Sequence, residues 1–532
     1  MTAAPTLKSG VPTTAGVFTR ASSGLVRQVR TDDVMFYGWQ QIALGYIIFI
    51  VAAWQFYPGA SMELATLIAT VAGLFIAGCY GLLSMVYPRS GGDYVFMSRI
   101  LHPVAGIALS MSLVFWQLFY TGVNGAFLSK FGIAPMLSSL GVQEHNAALI
   151  SAGNWFAGKW GLFLGGVLVV GIFSIVQYRG AGVYFKIQRW ASYVTAASLL
   201  VTFITLALAA TGVLDFHHNF DAAAGAGAYD NVIAAAGDTH HPFSLSETAF
   251  FAAWPAFSLW FAVLSVSFGG EVKDGQRSQL RGMTLAIVTM GGAMMLLMFL
   301  YRMAFGSSFM LASTEVTPDE FPLDAAPYVN LYTGIAGGNP VLTVVNSLWV
   351  LSLLFFVGAS SLIVATRSML AWSLDGLAPK WFSAVSAKFH TPTWALALSA
   401  AIAFVWVCLY AFTSSVLVLG GFLGQCIPFM GVCMAAIIFP FRRKREFESS
   451  PIAYRVGKVP VISVIGVVAL TCVAFVFYRL LIDAAYGANN HLSEVMTVAV
   501  TVFALTWYAA FRIYRARQGA DLKGQFSEIP VE

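Results

Sequence analysis

Twelve stretches of this chain are apolar for about 20 residues or more, the length a helix needs to cross the hydrocarbon of a bilayer. They cover 35–55, 62–87, 104–128, 160–178, 189–212, 248–270, 281–305, 340–371, 392–412, 415–440, 459–482 and 494–514. In lipid every backbone N–H and C=O must find its partner inside the protein, and a run of this length does so as a helix. The short alternating segments of a membrane barrel are absent. Composition points the same way. Of 532 residues, 58% are hydrophobic and only 10% are charged, against roughly 25% charged in soluble domains. The expectation is an all-α integral membrane protein with 12 transmembrane helices.

Basic residues orient the spans. With the N-terminus in the cytoplasm, all but four of the 29 Lys and Arg fall on that side. The exceptions are Lys130, Lys159, Arg302 and Arg479. Cytoplasmic loops carry such an excess, and an odd number of spans would scramble it. Residues 1–34 hold no apolar signal core and read as a cytoplasmic tail, as do residues 517–532. The expected location is the cell's inner (plasma) membrane with both termini inside. The net charge of +5 then follows from topology and needs no nucleic-acid partner. Cys79, Cys408, Cys426, Cys433 and Cys472 all lie in apolar runs and read as packing residues. His217, His218, His240 and His241 come as adjacent pairs in the external loop 213–247. They lack the i,i+4 spacing of a helical metal site and read as solvated loop.

Between the second and third runs lies a polar hinge, "YPRSGGDYVFMSRILHP", Tyr87 to Pro103. Its Gly91–Gly92 pair permits a tight reversal. Arg89 and Arg99 hold it on the cytoplasmic side, and Asp93 is expected to pair with one of them. The hinge resembles the loop after helix two in amino acid permeases of the amino acid–polyamine–organocation superfamily. Two further stretches agree in order: "GGEVKDGQRSQLRGM" (269–283) after helix six and "ATRSMLAWSLDGLAPKWFSAVSAKFHTPTWA" (365–395) after helix eight. The resemblance covers nearly the whole chain. It implies two inverted five-helix repeats, here 35–212 and 248–440, with helices eleven and twelve (441–516) appended. It also implies helices one and six broken at mid-membrane, where freed N–H and C=O groups hold a substrate's charged ends. The hinge would be a short helix beside an inner gate formed by Arg89, Gly91, Gly92, Asp93 and Glu271.

The resemblance directs attention to particular side chains. Helix one reads "MFYGWQQIALGYIIFIVAAW". Gly38 and Gly45 flank the amides Gln40 and Gln41, and a break between these two glycines would place the amides, with Ala43 and Gly45, at the substrate. Two glutamines in an apolar span must be hydrogen-bonded, to a substrate or to another helix. In helix six the break is expected between Ser258 and Val263. The Gly and Glu common there in the family are replaced by Phe261 and Val263. Pro255 can kink the helix, and Phe257 or Trp260 would form an aromatic lid. Helix three contributes Gln117, Tyr120 and Asn124 at helical spacing.

Carboxylates occur only at span ends and in loops, with Asp33, Glu63, Asp93, Glu271, Asp375 and Asp483 closest to the spans. The helix-five lysine of some relatives would fall near Thr195, where none stands within six residues. Ser360 and Ser361 match the hydroxyl pair that binds Na⁺ in sodium-coupled relatives. No cofactor is expected beyond a coupling ion, Na⁺ or H⁺. The expected activity is secondary transport of amino acids or related amines by alternating access, by a monomer or homodimer in the bilayer. A proton-coupled symporter and an uncoupled amino acid or polyamine exchanger remain alternatives. A membrane enzyme is not expected, because no span holds a nucleophile with a base or a metal-ligand cluster. A channel lacks the broken-helix pattern, and no phosphate-binding Walker sequence is present.

Overall fold

A computed structural model describes residues 24–236, 241–316, 321–413, 420–518 and 526. The expected N-terminal tail as far as residue 23, His240, the opening residues 415–419 of the tenth run and the C-terminal tail apart from residues 517, 518 and 526 lie outside the described residues.

Twelve helices are long and apolar enough to cross a membrane. Spans one to six are Thr31–Phe56, Met62–Val86, Pro103–Gln143, Lys159–Tyr178, Ala181–Ala210 and Leu245–Ser267. Spans seven to twelve are Arg277–Phe305, Pro340–Leu374, Thr393–Phe412, Gly420–Arg442, Val461–Ile482 and His491–Arg517. The starts of spans two and eight follow ordinary capping chemistry. Ser61 accepts from the Leu64 amide at 3.2 Å, and Asn339 accepts from Val341 at 2.8 Å ahead of Pro340. Proline at a first helical position gives up an amide that has no partner there anyway.

Spans one and six form the axis of the bundle, with 83% and 89% of their central windows buried, against 22% for span twelve. Large apolar side chains such as Ile175, Leu200 and Val498 point outward from peripheral spans, as lipid requires. Span three is longer than the apolar run that marks it. A π-helical turn at Leu128–Ile133 carries the helix on to Gln143, so it projects from the face opposite the basic loops. There it meets helices of the two long loops. Those loops, expected as polar connections, fold into short helices including Phe216–Ala224, Ser307–Glu315 and Val329–Gly337. An aromatic cluster joins them, with Phe309 rings 5.0 Å from Phe220 and 5.3 Å from Tyr332. His217 stays exposed, 3.6 Å from Asp221, and among the described residues no group of His, Cys, Asp and Glu is placed to hold a metal.

Span one is interrupted where expected. Its first α-helical part ends at Ile42, Ala43 takes left-handed φ 45° and ψ 64°, a 3₁₀ turn covers Leu44–Tyr46, and the helix resumes at Ile47. Span six differs from the expectation of a broken helix. It is α-helical through Ala253–Leu259 and then tightens into 3₁₀ geometry from Trp260 to Ser267. A 3₁₀ run of eight residues is unusually long and marks strain or a hinge. No extended residue interrupts it, because every residue from 260 to 267 is buried against neighbouring spans and no glycine stands there to open the chain.

Candidate functional site: a cavity at the break in span one

The break is stabilised by an exchange of hydrogen bonds. In a continuous α-helix the Tyr46 amide would donate to the Ile42 carbonyl. Here it donates to the Ala43 carbonyl at 2.8 Å, and the freed Ile42 carbonyl accepts the Ser258 hydroxyl of span six. Ser258 thus ties span six to the break and is not part of the cavity wall.

Beside the break lies a cavity walled by Gln41 and Tyr46 of span one, Tyr120 and Asn124 of span three, Phe257 and Phe261 of span six, and Val357 and Ser361 of span eight. Its open volume is ≈ 10 Å³, room for about one water. Toward the basic face its floor is a chain of hydrogen bonds. The Gln41 amide donates to the Tyr37 hydroxyl at 3.0 Å, and Tyr37 donates to the Ser360 carbonyl at 2.7 Å. Toward the opposite face it is closed by rings. Tyr46 stacks on Phe257 with centroids 5.3 Å apart and planes 15° from parallel, and Tyr120 meets Phe261 edge-on at 5.7 Å. The Tyr46 hydroxyl donates to Asn124 Oδ1. Asn124 Nδ2 and the Tyr120 hydroxyl are left buried without a hydrogen-bond partner. A buried, unpaired polar group is costly, so these two are ready for a polar ligand. The wall carries no Asp, Glu, Lys, Arg or His.

Of the side chains singled out from sequence, Gln41, Tyr120, Asn124, Phe257, Phe261 and Ser361 share this wall. Others serve the packing around it. Gln40 donates to Ser192 of span five at 3.2 Å, because one residue along a helix turns the side chain through about a quarter of a turn. Trp260 donates to the Ala69 carbonyl of span two at 3.0 Å, so Phe257 lies over the cavity and Trp260 does not. Gln117 is buried without a partner, outside the wall. Gly45 lies against Leu354 of span eight, 3.2 Å from where a β-carbon would stand. Ala43 supplies the left-handed turn itself. Ser360 donates its hydroxyl to the Val357 carbonyl at 2.9 Å. Tyr46 and Val357 belong to the wall without having been marked in the sequence. Tyr46 directly follows Gly45, so its place beside the break was a readable sign.

The basic face beneath the cavity is shut. Asp33 at the start of span one accepts from Arg189 of span five at 2.7 Å. Glu271 after span six holds Arg367 of span eight at 2.8 Å. Asp375 at the end of span eight binds both terminal nitrogens of Arg99, one of them at 2.9 Å. The chain before span one docks here too, with the Lys273 amide donating to the Val29 carbonyl at 2.9 Å.

The hinge is wedged into this closure. Gly91 adopts φ 70° and its amide donates to the Ser267 carbonyl at 2.7 Å. A methyl on Gly92 would lie 2.6 Å from the Val266 carbonyl oxygen. Arg89 is half-buried at the rim. Asp93 does not pair with Arg89 or Arg99. Arg99 is committed to Asp375, and Asp93 is wholly buried with neither oxygen hydrogen-bonded. Burial raises its pKa from 3.8 to about 7, only partly offset by the nearby amides of Tyr94 and Asp93 itself, which fall outside hydrogen-bond geometry.

Among curated proteins none matches the chain. Residues 34–506, most of its length, match the family described as amino acid permease. The twelve-span helical chain therefore belongs to the amino acid permeases, a family of membrane transporters rather than enzymes.

Proposed function

We propose that the protein carries a net-neutral amino acid across the plasma membrane by alternating access, with its basic face and both termini in the cytoplasm. The uncharged wall of the cavity supports this reading. Four aromatic rings and Val357 suit an apolar side chain, while Asn124, Tyr120, Gln41 and the broken backbone of span one suit a carboxylate and an ammonium. A wall without fixed charge leaves the second cationic group of a basic amino acid or polyamine unpaired, which is unfavourable in a buried site. The cavity is contracted, and a substrate enters when the rings of Tyr46, Phe257 and Phe261 separate. Sodium at Ser360 and Ser361 is a second reading, favoured by the place of Ser361 on the wall beside the break.

Counterflow of a panel of labelled amino acids into proteoliposomes tests the substrate class. Neutral apolar amino acids are expected to exchange, and lysine, glutamate and putrescine are not. Preferred exchange of a cationic substrate would sink the reading. Repeating the measurement with choline in place of Na⁺ decides the sodium site.

A further inference from the structure

Four carboxylates are buried among the described residues: Asp33, Asp93, Glu271 and Asp375. Three of them hold a guanidinium. Asp93 alone has no cation and no hydrogen-bond partner. It sits on the short helix Gly92–Phe96, which packs against spans two, three, six, eight and ten.

The groups facing it do not compensate an anion. On its own segment, Tyr94 donates to Asp375 at 2.8 Å and Arg99 is bound by the same carboxylate. Span two presents Tyr80, whose hydroxyl lies within electrostatic reach of Asp93 and has no hydrogen-bond partner; Cys79 and, from span ten, Cys433 lie beside Tyr80. Span six presents Ser267, its hydroxyl also unpartnered, with Glu271 beyond it. Span eight presents Ser368, unpartnered likewise, and Arg367, which is engaged by Glu271 at both carboxylate oxygens. A neutral carboxyl can donate one hydrogen bond and accept others, which fits a buried site beside the idle Tyr80 hydroxyl. An ionised one without a cation does not fit it.

We propose that Asp93 is a proton-binding site linked to closure of the basic face. The carboxyl holds a proton while the hinge is wedged between spans six and eight, and releases it to water when that face opens. This rests on the alternating-access reading for its role in transport, although the proton linkage itself does not require a substrate. The direction of the effect follows from the two states. In the open state Asp93 is hydrated and returns toward the ordinary carboxylate value, so the closed state binds one proton more between pH 4 and 7. Acid therefore favours closure, and that advantage is lost as pH rises through about 7. Across this window the open fraction rises by up to about tenfold per pH unit. Above it both states are ionised and the equilibrium levels off.

Hydrogen exchange of the peptide 87–103, corrected for the intrinsic pH dependence of amide exchange, reads the opening directly. In the wild-type protein, protection is expected to fall between pH 5 and 7 and then level. Asp93→Asn, an uncharged isostere of the protonated acid, is expected to stay protected throughout, with counterflow that no longer rises with pH. A wild-type protection profile flat across this range, or an Asp93→Asn profile that still falls, would overturn the proposal. Because both variants are read without substrate, failure of every amino acid in the counterflow panel would count against the substrate reading and leave the proton site to the exchange data. Should Asp93→Asn fold poorly, the wild-type profile alone decides.

Discussion

At the scale of single residues, Ala43 carries the most local strain. A left-handed φ of 45° on an alanine costs roughly 1–2 kcal/mol through the clash of its β-carbon with the backbone. The conformation persists because Ser258 and the Ala43 carbonyl absorb the hydrogen bonds that the break releases. Ala43→Gly is expected to raise thermal stability in detergent by roughly 0.5–1 kcal/mol, after allowing for the freer unfolded chain of glycine. In a helix interior the same change lowers stability by about 1 kcal/mol, so the sign of the shift in Tm tests the break. How far the site could be read from sequence is also decided at this scale. Gln41 stood out because an amide in an apolar span demands a partner. Its neighbour Gln40 stood out for the same reason yet faces Ser192. In a helix apolar on all sides the periodicity that would tell the two apart is missing. Trp260 and Phe257 were indistinguishable on the same ground, and only the packing of span two against Trp260 separates them.

At the scale of elements, lengths were more legible than shapes. Apolar runs bounded by polar turns marked all twelve spans, since the bilayer thickness is an external ruler. The extension of span three to Gln143 and the 3₁₀ tightening of span six were not marked, because both depend on what packs against them. The hinge was legible as a reversal from Gly91 and Gly92, but its depth was not. Its polar residues suggested a surface segment, whereas Asp93 and Arg99 are buried. Close approach explains that depth, because the missing β-carbon at Gly92 lets the segment reach the Val266 carbonyl. Gly92→Ala puts a methyl 2.6 Å from that oxygen. Overpacking of this kind typically destabilises by about 1–3 kcal/mol, and here the penalty falls only on the closed basic face. The variant is expected to fold, to lose protection of peptide 87–103 by about tenfold or more, and to exchange substrate slowly. Unchanged protection would show that the hinge closes without this contact.

For the whole molecule, the ion pairs of the basic face set the balance between closed and open forms. Asp33–Arg189 fastens span one to span five, and Glu271–Arg367 fastens span six to span eight. Spans one and six, two of the four that wall the cavity, are thus held at one end by charge. Such pairs suit a gate. Their attraction when buried roughly offsets the hydration they regain when separated, so opening trades one favourable state for another. An apolar seal of equal area would oppose opening without that return. Removing one partner upsets the balance. Glu271→Gln leaves Arg367 buried with no anion, a penalty of about 3–5 kcal/mol, which the protein avoids by letting Arg367 reach water. The basic face is then expected to stand open, with exchange protection lost at 87–103 and counterflow reduced at least tenfold. Adding Arg367→Gln removes the stranded charge and lets two amides hydrogen-bond across the same gap. The double variant is therefore expected to regain much of the protection that the single variant loses. Additive losses in the two single variants, with no recovery in the double, would mean that Glu271 and Arg367 act separately and do not form the latch between spans six and eight.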